Sequence, residues 1–113
     1  MTLEEYFSTG PPHERPIFDA VMAGLAGVGP ILVEPVSVGL FLKRSQSFCE
    51  LRPRNKWVNV SFGLPRRLRD VRVRRAEDYS ASSTYHWVRV NDVSEVDEQL
   101  IGWLTEAYLA SPD

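Results

Sequence analysis

Residues 84–90 read Thr84-Tyr85-His86-Trp87-Val88-Arg89-Val90. Their period of two is that of a β-strand, with His86, Val88 and Val90 on one face and Tyr85, Trp87 and Arg89 on the other. The same reading extends upstream. In Lys56 to Phe62, Val58, Val60 and Phe62 oppose Trp57, Asn59 and Ser61. In Val71 to Arg74, Val71 and Val73 oppose Arg72 and Arg74. In Val38 to Lys43, Val38, Leu40 and Leu42 oppose Phe41 and Lys43. Phe48 to Arg52 forms a further strand, and Arg52-Pro53-Arg54-Asn55 is the turn that follows it. Ile31 to Val36 is a short strand interrupted by Pro35, and Ser80 to Ser83 is small and polar, as a loop should be.

Helical spacing flanks this strand region. Thr2 and Glu5 have the spacing of a capping box, which predicts a short helix over Leu3 to Ser8. Gly10, Pro11 and Pro12 break it. A second helix is predicted from about His13 to Val28, with Ile17, Phe18, Val21, Met22 and Leu25 on one stripe and Pro16 in the first turn. Gly24, Gly27 and Gly29 follow a helix and read as its stop, not as a phosphate loop between strand and helix. Ser94, with Asp97 three residues later, is the predicted cap of the last helix. That helix carries Val96, Leu100, Ile101, Leu104, Ala107 and Tyr108. Short turns between successive strands imply antiparallel pairing. The fold class expected is α+β: a two-layer sandwich, an antiparallel meander sheet of five or six strands with the N- and C-terminal helices on one face.

The chain has 113 residues, enough for one domain spanning 1–113 with its own core. Apolar residues make up 43% and charged residues 25%, which argues against a disordered chain. No apolar run is long enough to span a bilayer. The opening MTLEEYFSTG is acidic and lacks a basic-then-apolar leader pattern, so export is not expected. A single cysteine, Cys49, leaves no internal disulfide and suits a reducing cytoplasm.

The net charge of −2 hides a polarity. Lys43 to Arg75 holds eleven basic and two acidic residues, a net of +9, and the remainder is correspondingly acidic. The strand faces opposite the aliphatic sets combine these cations with rings: Phe41, Lys43, Trp57, Arg72, Arg74, Tyr85, Trp87 and Arg89. Rings and guanidinium groups on an open sheet suit stacking and anion contacts together. The alternative is that the rings pack on one another beneath Arg stems, or are buried in a dimer.

Catalytic and metal signals are sparse. His86 falls on the core face and His13 at a helix start. Cys49 with either histidine would form a nucleophile pair, but a lone strand cysteine reads first as a small buried residue. No metal spacing is present, and no cofactor is expected. Glu4-Glu5, Glu77-Asp78 and Asp97-Glu98 are sequence neighbours, which point apart and make poor acid–base pairs.

Three segments carry a family resemblance. They are Pro12-His13 with Ile17 to Ala20 and Leu25 to Pro30; Phe48 to Val60 followed by Leu64-Pro65-Arg66; and His86 to Val90 with Val96-Asp97 and Trp103 to Tyr108. Together they resemble the bacterial domain-of-unknown-function family 5655, from about Pro12 to Tyr108. Some relatives in that family are labelled "predicted transport protein", and members occur alone or attached to other domains. The resemblance implies an accessory module and emphasises Arg52, Pro53, Arg54, Lys56, Trp57 and His86. It carries over no catalytic residue.

The expected function is a small cytoplasmic binding module for an anionic or aromatic ligand or nucleic acid. Its candidate binding residues are Lys43, Arg52, Arg54, Lys56, Trp57, Arg72, Arg74, Tyr85, Trp87 and Arg89. A homo-oligomerising or protein-interaction domain using the same face is the alternative. An enzyme using His86, His13 or Cys49 is the weaker one.

Overall fold

Three local signals start the chain in the computed structural model, which describes residues 1–112. Thr2 and Glu5 form a reciprocal capping box at the head of α1 (Leu3–Phe7). Helix α2 (Glu14–Gly24) is shorter than the spacing predicted. Its stripe continues to Leu25, but the chain then turns through Gly27, whose φ of 88° favours glycine. Six strands follow: β1 (Leu32–Val36), β2 (Gly39–Lys43), β3 (Ser47–Pro53), β4 (Val58–Leu64), β5 (Val73–Ser80) and β6 (Ser83–Val90). A 3₁₀ turn (Val93–Glu95) and α3 (Glu98–Ala110) close the fold.

Two boundaries differ from expectation for identifiable reasons. Ser94 does not cap the last helix. Asp92 and Glu95 make a capping box of their own around the 3₁₀ turn, and Asp97 caps α3 by accepting the Leu100 amide at 3.0 Å. The fifth strand is not Val71 to Arg74. It starts at Val73 and runs to Ser80, which leaves Ala81 and Ser82 as the turn into β6.

All strand pairs are antiparallel, in the order β1-β2-β3-β4-β6-β5. The meander holds through β4. The chain then passes over the place beside β4, lays β5 at the edge and returns with β6 between them. One sheet row crosses the core as Val33, Leu42, Cys49, Phe62, His86 and Ala76. Ile17, Phe18, Val21 and Leu25 of α2, and Leu100, Trp103, Leu104, Ala107 and Tyr108 of α3, join the strand aliphatics in this core. Both long helices thus cover one sheet face, giving the α+β sandwich. Trp103, outside the predicted α3 stripe, stacks on Phe62 with centroids 6.1 Å apart.

The skipped strand position depends on the segment from Pro65 to Arg72. Its middle is buried: Leu68 is in the core, and its amide donates to Nε2 of the fully buried His86 at 3.0 Å. Its ends are tied to α3. Arg66 forks onto Glu106 at 2.9 and 2.8 Å. Arg72 binds Asp97 at 2.8 Å and the Glu95 carbonyl at 2.7 Å. His86 also stacks on Phe62, with centroids 5.5 Å apart and planes 17° from parallel.

Burial holds the His86 pKa below its ordinary 6.5, and the charges of Arg67 and Arg66 add to this while the nearby backbone of Phe62 and Thr84 works against it. The unfolded chain therefore binds that proton more readily than the folded one. The stability His86 contributes is complete above about pH 6.5 and falls as pH drops toward the folded value. His86→Ala is expected to lower the unfolding free energy by roughly 1–3 kcal/mol through a cavity and an orphaned Leu68 amide. Denaturant unfolding of His86→Gln should show a smaller stability loss between about pH 7 and pH 5 than the parent chain. Equal losses in the two chains would place the titration elsewhere.

Candidate functional site

The sheet face turned away from the helices is built in three rows by the strand register. The central row runs Glu34, Phe41, Glu50, Ser61, Trp87 and Arg75. On one side of it lies Arg52, Asn59 and Arg89, and on the other Gly63, Tyr85 and Glu77. Trp57, just before β4, extends the first side. Its rings and those of Tyr85 and Trp87 are half-buried, although no helix covers them.

The chain's own cations do part of the covering. The Arg89 guanidinium lies 3.9 Å from the Trp57 ring centroid, and that of Arg75 lies 4.6 Å from the Trp87 centroid. The Trp57 indole donates to Asn59 Oδ1 at 2.9 Å, and its carbonyl meets His13 Nε2 at 3.3 Å. Arg89 Nε is buried without a hydrogen-bond partner among the described residues. Tyr85 and Trp87 meet edge to face at 5.1 Å and 69°. Burial pushes the Tyr85 phenol well above its usual pKa. The Ser61 hydroxyl opposes this and the Glu50 carboxylate adds to it, so the phenol stays neutral.

The candidate cations do not form one patch. Lys43 pairs with Glu34 at 2.8 Å, and Arg52 pairs with Glu50 at 3.0 Å. Arg54 and Lys56 are exposed in the β3–β4 turn, with no acidic partner among the described residues. Arg74 is exposed at a bulge between Val73 and Arg75. That bulge resets the alternation, so Arg75, not Arg74, stands opposite Trp87. Arg72 is not on this face at all. It precedes β5, pairs with Asp97 and lies 5.9 Å from the Trp103 ring centroid on the helix side. The face is therefore uneven: Arg52 and Arg89 share the row next to Trp57, with Arg54 and Lys56 in the adjoining β3–β4 turn, while Glu77 lies opposite Tyr85 at the other end; Asp78, opposite Thr84, is on the helix side.

At this second end a groove of about 790 Å³ opens between the β5–β6 hairpin, the start of β3, the end of β4 and the C-terminus of α3. Tyr79, Tyr85, Trp87, Glu50, Glu77 and Asp78 line it, together with Leu64, Pro65 and the last turn of α3. No sequence pattern marks this groove, because four separated segments build it.

His86 and Cys49 face the core, not this surface. They share a sheet row with Phe62 between them, two strand spacings or about 10 Å apart along the backbone. His13 is held at Trp57. The three groups do not converge on a cleft. Among the described residues no His, Cys, Asp and Glu cluster is arranged to hold a metal ion. No helix is long and apolar enough to cross a membrane.

A family model for a domain of unknown function, DUF5655, matches residues 3–111. The chain belongs to the DUF5655 family. No curated protein and no solved structure matches it. Family membership covers both halves of the sandwich and both ends of the helix-free face, and it assigns neither end a role.

Cys49 is completely buried, and burial, followed by the Glu50 charge, pushes its thiol pKa far up. A thiol reagent such as DTNB should label it only upon unfolding, at the rate the chain opens. Prompt stoichiometric labelling of the native chain would return Cys49 to the list of accessible nucleophiles.

Proposed function

We propose that this domain is a cytoplasmic binding module that takes a flat, anionic ligand, single-stranded nucleic acid in particular, at the Trp57 end of the helix-free face. The observation that carries the reading is the Arg89 guanidinium stacked on Trp57, with Arg52 in the neighbouring sheet row and Arg54 and Lys56 exposed in the adjoining β3–β4 turn. A base can stack on a guanidinium plane or on a ring, and the flanking cations suit phosphates. Arg54 and Lys56, exposed and without an acidic partner among the described residues, give that end unspent donors. The pairing of Arg52 with Glu50 holds its fork over the sheet.

A homodimer through this face is the second reading, and the uneven charge favours it. A two-fold axis across the face would set the arginine-rich end of one copy over the Glu77 end of the other. The stacked Arg89 guanidinium is itself a plane on which a base can stack, which puts ligand binding first.

The test is a salt titration with a fluorescent oligothymidylate. Affinity should fall steeply with salt, by a log–log slope of about 0.7 for each phosphate neutralised. Arg54→Ala with Lys56→Ala should flatten that slope and weaken binding to all sequences alike. Arg89→Ala should weaken it while leaving the slope reduced by about one contact. Absence of binding at low salt would end the proposal, and a concentration-dependent sedimentation coefficient would favour the dimer.

A further inference from the structure

We infer that the cavity at the head of α2 is a binding site for a small primary ammonium compound, held by the carboxylate of Glu14. Glu14 is the only buried acid among the described residues, at 2% exposure. A carboxylate so deep is normally paired with a cation or bound by several donors. Glu14 has neither. Its Oε2 accepts the Tyr6 hydroxyl, and no backbone N–H, lysine or arginine among the described residues binds it. The adjacent cation is engaged elsewhere: Arg15 lies over the Phe7 ring and pairs with Asp19 at 3.8 Å. The first turn of α2 lends Glu14 a fraction of a positive charge, yet Oε1 accepts no hydrogen bond among the described residues. Burial accordingly raises the Glu14 pKa above the ordinary carboxylate value, against the opposing effects of the Tyr6 hydroxyl and His13.

The carboxylate can be reached from outside. It lines a cavity of about 480 Å³ between α1, the link that follows it and the end of β1. Gly10 borders the free oxygen: a Cβ built there would lie 3.8 Å from Oε1 and meet nothing else, so the missing side chain leaves that approach open. The lining selects among ligands. Glu5 adds a second carboxylate, and no lysine or arginine side chain lines the cavity, which excludes anions. Thr9 and Ser37 bring hydroxyls that have no hydrogen-bond partner among the described residues, so acceptors stand ready for N–H groups besides the one directed at Glu14. Tyr6 is the one ring present, too few for the aromatic cage that holds a quaternary ammonium. Val36 and the Met1 side chain give a short apolar stem a place to lie.

This inference does not rest on ligand binding at Trp57, because the cavity lies at α1 and shares no residue with that end of the sheet. The test uses butylammonium as the probe, at about pH 8, below the pKa of an alkylamine. The controls are 1-butanol, its neutral near-isostere, and tetramethylammonium, which has the charge without N–H donors. Binding is followed by NMR through the Gly10 amide and the Tyr6 ring. Butylammonium should move both signals and bind at least about tenfold more tightly than either control. Glu14→Gln retains an acceptor for the Tyr6 hydroxyl, so it should melt no lower than the parent chain and bind the probe at least about tenfold more weakly. Tyr6→Phe keeps the ring and frees Oε2, and should still bind. Equal affinity for butylammonium and 1-butanol in the parent chain would overturn the inference without any variant. Unmoved Gly10 and Tyr6 signals would reduce Glu14 to a tie that holds Tyr6, and unchanged affinity in Glu14→Gln would also overturn the site.

Discussion

The bond from the Leu68 amide to His86 Nε2 lies in the middle of the core, and the placement of the last two strands depends on it. The segment between β4 and β5 must cross the helix side of the sheet to leave a place for β6. A backbone N–H buried on that route needs an acceptor, and leaving it bare costs about 1–3 kcal/mol. His86 supplies the acceptor from β6 itself, so the strand that fills the gap also holds the segment that made it. The ties at the segment's ends are different in kind. Arg66 with Glu106 is a largely exposed pair, worth about 1 kcal/mol or less, and Arg72 with Asp97 is a partly buried one at the rim of α3. They align the segment along α3, whereas the buried bond and the burial of Leu68 fix its depth. An acceptor at Nε2 requires the proton on Nδ1, and that atom is buried without a partner. The position therefore accepts one unmet donor in order to satisfy the crossing.

Putting the crossing segment and both long helices on one side leaves the other side of the sheet without a covering layer. Half-buried rings there are shielded by guanidinium groups of neighbouring strands, an arrangement that costs little desolvation because the outer edge of each guanidinium stays wet. Antiparallel register then sorts the charges. Arg89 at the end of β6 meets Trp57, with the cations of the β3–β4 turn next along the chain, while Glu77 of β5 lies opposite Tyr85 of β6. One face thus carries an arginine-rich end at Trp57 and a ring-rich end at Tyr85, in a chain whose net charge is only −2.

The parts legible in the sequence are those where the pleat runs without interruption. Val58, Val60 and Phe62, and His86, Val88 and Val90, alternate cleanly, and their faces are as the pattern requires. Helix termini were legible where one cap stood alone, as at Thr2, and not where Asp92 and Ser94 competed. The fifth strand was misplaced because Val71 to Arg74 alternates by chance while the real strand, Val73 to Ser80, is polar and lies at the edge. A polar edge strand has no buried stripe to reveal it. The bulge beside Arg74 moved Arg75 under Trp87, and the long Arg72 side chain reaches the helix layer, so neither Arg72 nor Arg74 stands where simple alternation places it. The groove escaped notice because it is a property of four chain segments meeting, which no single window contains.

The tautomer of His86 tests this account most directly. Long-range ¹H–¹⁵N NMR distinguishes a protonated Nδ1 from a protonated Nε2, and hydrogen exchange of the Leu68 amide in the same sample reports whether that N–H is tied. The account requires the Nδ1–H tautomer at neutral pH, together with a Leu68 amide exchanging as slowly as the amides of β4 and β6. An Nε2–H tautomer with a fast-exchanging Leu68 amide would contradict it. The crossing segment would then be held by its ends alone.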